Sequence, residues 1–352
     1  MATALALAAF GQEAESGFNL STTLSLESFY THQLSDSPRE GEPIGGGFRA
    51  MLYPTWKLNP HWSLTGVVQV HSRPYFMDEF ETQGEGVKGN LLQLSLNYSR
   101  FWNRGSVVFR VGELSSAFGS FLLRYDDAMN PLIGMPAAYG YYYSGVSFLG
   151  LAGAEVDVTQ GKFDVRAQFV NSSPANPRSI FDHDQYGNWA GGVGYTIRQG
   201  VRIGASAYYG PYLDAQYPYY LPGEGRMRDL PATAYGADFA WAAGHWNLWA
   251  EWQHFENDYR VMPSYRWQAA YTEVRRVLTP RWYAATRIGY EERNRSRFSE
   301  TYEIAAGFRA RTYALLKVEY QITKGDEYRG TLANTAAAQL VFTLPDISVA
   351  RP

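Results

Sequence analysis

Along most of the chain, apolar and polar residues alternate one by one. In FNLSTTLSLESFY, Leu20, Thr22, Leu24 and Leu26 fall on one side, with Asn19, Ser21, Thr23, Ser25 and Glu27 on the other. WSLTGVVQVHSR sets Trp62, Leu64, Gly66, Val68 and Val70 against Ser63, Thr65, Gln69, His71 and Arg73. KFDVRAQFVN sets Phe163, Val165, Ala167 and Phe169 against Asp164, Arg166 and Gln168, and YEIAAGFR sets Tyr302, Ile304, Ala306 and Phe308 against Glu303, Gly307 and Arg309. The last such segment, TAAAQLVFTL, puts Ala336, Ala338, Leu340, Phe342 and Leu344 on one side. Successive side chains of a strand point to opposite faces, so each segment reads as a strand with one apolar face. About 16 of them follow one another, each roughly 9–14 residues long, against a usual 5–6 in soluble sheets.

The links between them alternate in length. KLNPHW, NRG, TQGK, RQG, AGHW, LTPRW and ARTY are tight, and eight much longer links lie between these. Seven short turns and eight long loops connect sixteen strands and leave both chain ends on the short-turn side. That asymmetry belongs to barrels that cross an outer membrane, with short periplasmic turns and long extracellular loops. Trp56, Trp62, Trp102, Trp246 and Trp282 all lie within a few residues of a short turn. Amphipathic rings favour the membrane interface, so they read as the periplasmic aromatic girdle; Tyr30, Tyr209, Tyr235 and Tyr290 read as the outer one. In lipid every backbone group must be paired within the sheet, so such a sheet must close. A soluble sandwich does not explain the loop asymmetry, and a propeller would repeat every 40–50 residues or so, which this chain does not. The expected fold is all-β: a 16-stranded antiparallel transmembrane β-barrel over residues 17–344. MATALALAAFG is apolar and rich in small residues, but no Lys or Arg precedes it. Residues 1–16 therefore read as a signal-peptide remnant or N-terminal extension, and 345–352 as a C-terminal periplasmic extension.

Composition narrows the function classes. The 352 residues include no Cys, which excludes a disulfide scaffold and Cys-ligated zinc or iron–sulfur sites. A net charge of −3 argues against a nucleic-acid partner. Mean hydropathy is only −0.33, and no run of about 18 apolar residues exists for a spanning helix. A barrel is compatible with both facts, because half of each strand faces inward.

A 16-stranded barrel is wide enough for an aqueous channel. Strand parity places Arg49, Lys57, Gln69, Arg73, Arg110, Asp157, Asp164, Arg166, Arg202, Asp238, Glu251, Arg287, Glu291, Glu303, Arg309, Lys317 and Glu319 in the bore. Around Glu273 to Arg276, YTEVRRV breaks the alternation. The longest link, about Ser115 to Ser147, follows the fifth strand. From Phe121 to Gly140 it reads FLLRYDDAMNPLIGMPAAYG, too apolar for a solvated loop. Long structured loops usually carry function. Either this loop folds inward and packs on the barrel wall, projecting Arg124, Asp126 and Asp127 into the remaining gap, or it is an external lid.

On these features the sequence resembles the bacterial outer-membrane porins, whose third extracellular loop folds inward after the fifth strand. Within them, VGELSSAFGSFLLRYDDAMNPLIGMP is similar to the corresponding segment of the phosphate-selective O/P type. The chain departs from the general pattern in lacking a PEFGGD-like loop motif and in not ending in Phe. The resemblance implies a passive diffusion channel in the bacterial outer membrane, a homotrimer among lipid and lipopolysaccharide, that passes small hydrophilic solutes and ions and needs no cofactor. It further implies a pore constriction in which Arg124, Asp126 and Asp127 on the loop face Arg110, Arg166, Arg202 and Arg287 on the wall. Inward basic and acidic residues are nearly balanced, so only modest charge selectivity is expected, with a weak preference for anions. Gly191, Val193 and Ala205 are candidates for subunit packing.

Other signals are weaker. FDHDQ (Asp182, His183, Asp184) reads as a solvated loop cluster rather than a metal site. GGVGYT lies inside a strand and is no nucleotide loop. The Tyr-rich loops YGYYYSG and YYGPYLDAQYPYYLPGEG suit packing, with sugar stacking as the alternative. No Ser/His/Asp constellation emerges from six His, so an enzyme is not expected. The alternatives kept open are a substrate-selective channel for phosphate, other anions or sugars, and a plugged barrel serving as adhesin or structural protein.

Overall fold

The computed structural model describes residues 16–31, 43–75, 85–139, 151–171, 187–212, 223–226, 229–294, 297–325 and 332–350. Residues 1–15, FDHDQ and most of both Tyr-rich loops lie outside that set. Among the described residues there are sixteen strands. They are β1 (Gly17–Thr31), β2 (Ile44–Lys57), β3 (Trp62–Ser72), β4 (Val87–Trp102), β5 (Gly105–Leu114), β6 (Leu151–Gln160), β7 (Phe163–Val170) and β8 (Asn188–Arg198). There follow β9 (Val201–Pro211), β10 (Pro231–Ala243), β11 (Trp246–Asn257), β12 (Tyr265–Val277), β13 (Trp282–Arg293), β14 (Arg297–Arg311), β15 (Ala314–Lys324) and β16 (Leu332–Ala350). Each pairs antiparallel with its sequence neighbours, and β1 pairs with β16, so the barrel is closed. No sheet edge is left open around it, which is what removal of backbone groups from water demands. The fold class is the one expected.

Parity holds through the register. The apolar residues of each alternating segment are exposed on the outside, among them Leu26, Val165, Phe169, Ile304 and Leu340's neighbour across the sheet, Leu316. Their polar partners turn inward. All five girdle tryptophans are exposed beside short turns, as read from the sequence. Three readings change. YTEVRRV does not break the pattern: Tyr271 and Glu273 are buried inside, and Arg276 lies outside over the Trp246 ring, 4.8 Å from its centroid. β16 does not stop at Leu344. After a register shift opposite Leu20 and Thr22 it runs on to Ala350, pairing Ile347 with Leu20 and Val349 with Phe18. Pro345 falls within this irregularity, where its missing N–H is absorbed. Arg73, assigned to a bore-facing strand, lies just past the end of β3.

Candidate functional site: the bore and its inward loop

The link after β5 runs inside the barrel, and side chains from inward strand positions hold it along its length. Gln168 on β7 accepts from Ala117 N (3.1 Å) and donates to Ser115 O (2.7 Å). Ser206 on β9 receives Gly119 N (3.3 Å), and Glu251 on β11 accepts both Ser120 N (3.1 Å) and Ser120 Oγ (2.9 Å). The loop then crosses from β12 to β2. Arg124 pairs with Glu273 of β12 and lies over the Trp249 ring at 4.4 Å. Three residues on, Asp127 accepts from Arg49 Nε of β2 (3.0 Å) and from Tyr75 OH (2.8 Å), while Tyr53 OH bonds Asp126.

The return leg is fastened through its backbone. Lys317 Nζ on β15 donates to the carbonyls of Asp127 (2.9 Å), Asn130 (3.3 Å) and Leu132 (3.0 Å). Glu319 accepts the N–H groups of Ile133 and Gly134, and Arg287 on β13 donates to Gly134 O (2.7 Å). Lys317 and Arg287 are 0% exposed. A charge buried without partners costs several kcal/mol, and a loop backbone buried without partners is nearly as unfavourable. Here each supplies what the other lacks.

Small wall residues make room for the loop's apolar side chains. Phe118 and Phe121 pack among Ala190, Ala232, Ala234 and Ala269. Leu132 sits against Tyr283, Ala285, Ala305, Leu315 and Val341, and Ile133 against Phe29 and Ala337. A Cβ on Gly236 would come within 3.4 Å of the Phe118 ring. The lid alternative is therefore not what the chain adopts.

Nearer the short turns, the wall formed by β5 to β10 stays open to the bore. There Arg110 bridges Glu155 (2.6 Å) and Asp157; Arg166 meets Asp157 (2.8 Å); Arg202 bridges Asp164 and Asp238 (both 2.6 Å). These side chains keep 17%, 24% and 34% of their arginine surfaces exposed. The expected constriction thus divides. Arg110, Arg166 and Arg202 line the bore as expected, but they pair with wall carboxylates rather than facing Asp126 and Asp127. Arg287 lies behind the loop, enclosed by Glu273, Glu303 and Gly134 O. Arg124 points to the wall. Asp127 is neutralised by Arg49, a partner not assigned to it from the sequence. Parity had already put Arg49, Lys317, Glu319 and Glu251 inside; their partners depend on which strand the loop reaches.

No family model matches the sequence, and no curated protein does. Solved structures do match in fold. An in-vitro folded OmpT, an outer membrane protein of Vibrio cholerae in trimer form, aligns over 94% of this chain and 100% of its own, with a TM-score of 0.61 and 12% identity. An anion-selective porin from Comamonas acidovorans covers the same shares, with a TM-score of 0.62 and 11% identity. Salmonella typhi OmpF in complex with daunomycin aligns over 93% of this chain and 97% of its own, with a TM-score of 0.64 and 12% identity. At these identities the likeness is one of fold: the chain has the architecture of the 16-stranded outer-membrane barrels.

Proposed function

We propose that this protein is a porin of the bacterial outer membrane, a passive diffusion channel for small hydrophilic solutes and ions. The observation that carries the reading is the asymmetric bore. Part of the inner wall is covered by a loop clasped to it at many points, and nearer the short turns β5 to β10 present a partly exposed strip of charged side chains. Solutes move past that strip down their gradients, with no cofactor. Opposed and interleaved fixed charges select by size and charge rather than by chemistry. The strip holds three guanidiniums, of Arg110, Arg166 and Arg202, against four carboxylates, of Glu155, Asp157, Asp164 and Asp238. That near balance supports weak discrimination between small cations and anions and speaks against a dedicated phosphate constriction at this level. The exposed outer face around Val193 on β8 is the proposed subunit contact of a homotrimer, with lipid and lipopolysaccharide around the rest.

The test is single-channel recording in a planar bilayer, with the reversal potential measured in a salt gradient. Steady, near-ohmic steps and a small reversal potential are expected. Folded protein that gives no steps would overturn the proposal and favour a plugged barrel.

A further inference from the structure

Inward wall arginines are paired almost throughout. Arg49, Arg110, Arg166, Arg202, Arg287 and Arg293 each reach a carboxylate. Arg275 and Arg309 do not, among the described residues. Both point into the bore near the short-turn mouth: Arg275 follows Glu273 on the inner face of β12, and Arg309 follows Gly307 on that of β14. Tyr283 of β13 lies between them. Its ring covers Gly307, where a Cβ would meet it at 2.1 Å, and the Arg275 guanidinium stands over it at 4.6 Å. In the register Tyr283 is opposite Val277 and Gly307, so Arg275 and Arg309 flank its ring from either side, and like charges set about one ring repel.

Among the described residues no neighbouring carboxylate forms an ion pair with either guanidinium, and Arg309 is exposed. Glu273 is engaged by Arg124 and Arg287, and Glu319 by the loop backbone. Asn247 is opposite Arg275 on β11, and Leu315 opposite Arg309 on β15; neither carries charge. Tyr283 OH donates to Pro131 O at 3.0 Å. Among the described residues Arg275 Nε is buried with no hydrogen-bond partner, and the Arg309 side chain donates to Thr312 O at 3.2 Å. A planar guanidinium presents a fork of donors that fits an oxyanion, and a buried donor without a partner is unfavourable.

We propose that Arg275 and Arg309, set about the Tyr283 ring, form a binding site for a small oxyanion at the periplasmic mouth of the bore. Phosphate and carboxylate groups share the chemistry. The anion bridges the two guanidiniums, screens their repulsion and supplies the acceptor that Arg275 Nε lacks. The site goes beyond the channel reading, because it binds whether or not the bore conducts.

Inorganic phosphate is the probe. Titration calorimetry on the detergent-solubilised barrel should show saturable binding, weakened about tenfold or more in the Arg275→Gln/Arg309→Gln variant. Arg309→Glu, which gives Arg275 an internal partner, should also empty the site. Arg276→Gln removes a charge from the same strand on the outer face and should bind as the parent does. Where channels form, phosphate added on the short-turn side should reduce chloride current in the parent and not in the double variant. Absence of binding by the parent, or equal loss in Arg276→Gln, would overturn the site, whereas missing conductance steps with binding intact would count against the channel alone.

Discussion

Leu132 and Asp127 show how single side chains seat the loop by different physics. Leu132 is fully buried in a socket whose floor is Ala285 and Ala305. Removing its branched end leaves a cavity that the rigid sheet cannot close. Leu132→Ala should therefore cost roughly 2–5 kcal/mol of loop seating; proteolysis within the loop, with barrel circular dichroism as control, measures it. Asp127 is buried beside Arg49, with Tyr75 as a second donor. Asp127→Asn keeps the shape but leaves the Arg49 cation enclosed without its counter-charge, a defect of about 3–5 kcal/mol. Flickering open-channel current, absent in the parent, is its expected signature. Which inward residues are charged was legible from alternation alone. That Arg49 meets Asp127, and Lys317 three loop carbonyls, was not, because those partners are 78 and up to 190 residues apart.

At the scale of elements, the charged strip and the loops respond separately. Arg202 is held between Asp164 of β7 and Asp238 of β10. Asp164→Asn with Asp238→Asn removes two negative charges and frees one guanidinium, so the reversal potential should move towards chloride; no movement would mean that the strip lies off the ion path. Two outer loops are joined by another carboxylate. Glu224, between β9 and β10, accepts N–H groups from Arg260, Val261 (2.9 Å) and Met262 (2.8 Å), between β11 and β12. Burial raises its pKa, but these amides and Arg260 outweigh that and hold it below the ordinary 4.5. A depressed carboxyl stabilises fully above the ordinary value and loses that contribution as pH falls through the folded one. Amide exchange at Arg260 to Met262, corrected for intrinsic rate, should therefore accelerate only in acid below about pH 4.5 and stay protected at neutrality.

For the whole molecule, the barrel and the loop are distinct levels of order. All sixteen strand pairings close without any contribution from residues 115–139. Replacing Phe121–Gly134 with a short flexible link should leave the β-sheet signal intact and raise single-channel conductance several-fold; unchanged conductance would place the narrowest point elsewhere. The alternation of residues, the alternation of link lengths and the tryptophans at short turns determined by themselves that the chain closes into sixteen strands, which face meets lipid, and which loop is too apolar to stand in water. Those are consequences of neighbours two residues apart and of backbone hydrogen bonding, both written locally. Tertiary structure alone decided the rest. It carried β16 past Pro345 to Ala350, hid Arg287 behind the loop, gave Asp127 to Arg49, and, among the described residues, left Arg275 and Arg309 without a carboxylate. Pairing between a loop and a distant strand depends on where the closed sheet places each side chain across the bore, and no periodicity along the chain encodes that distance.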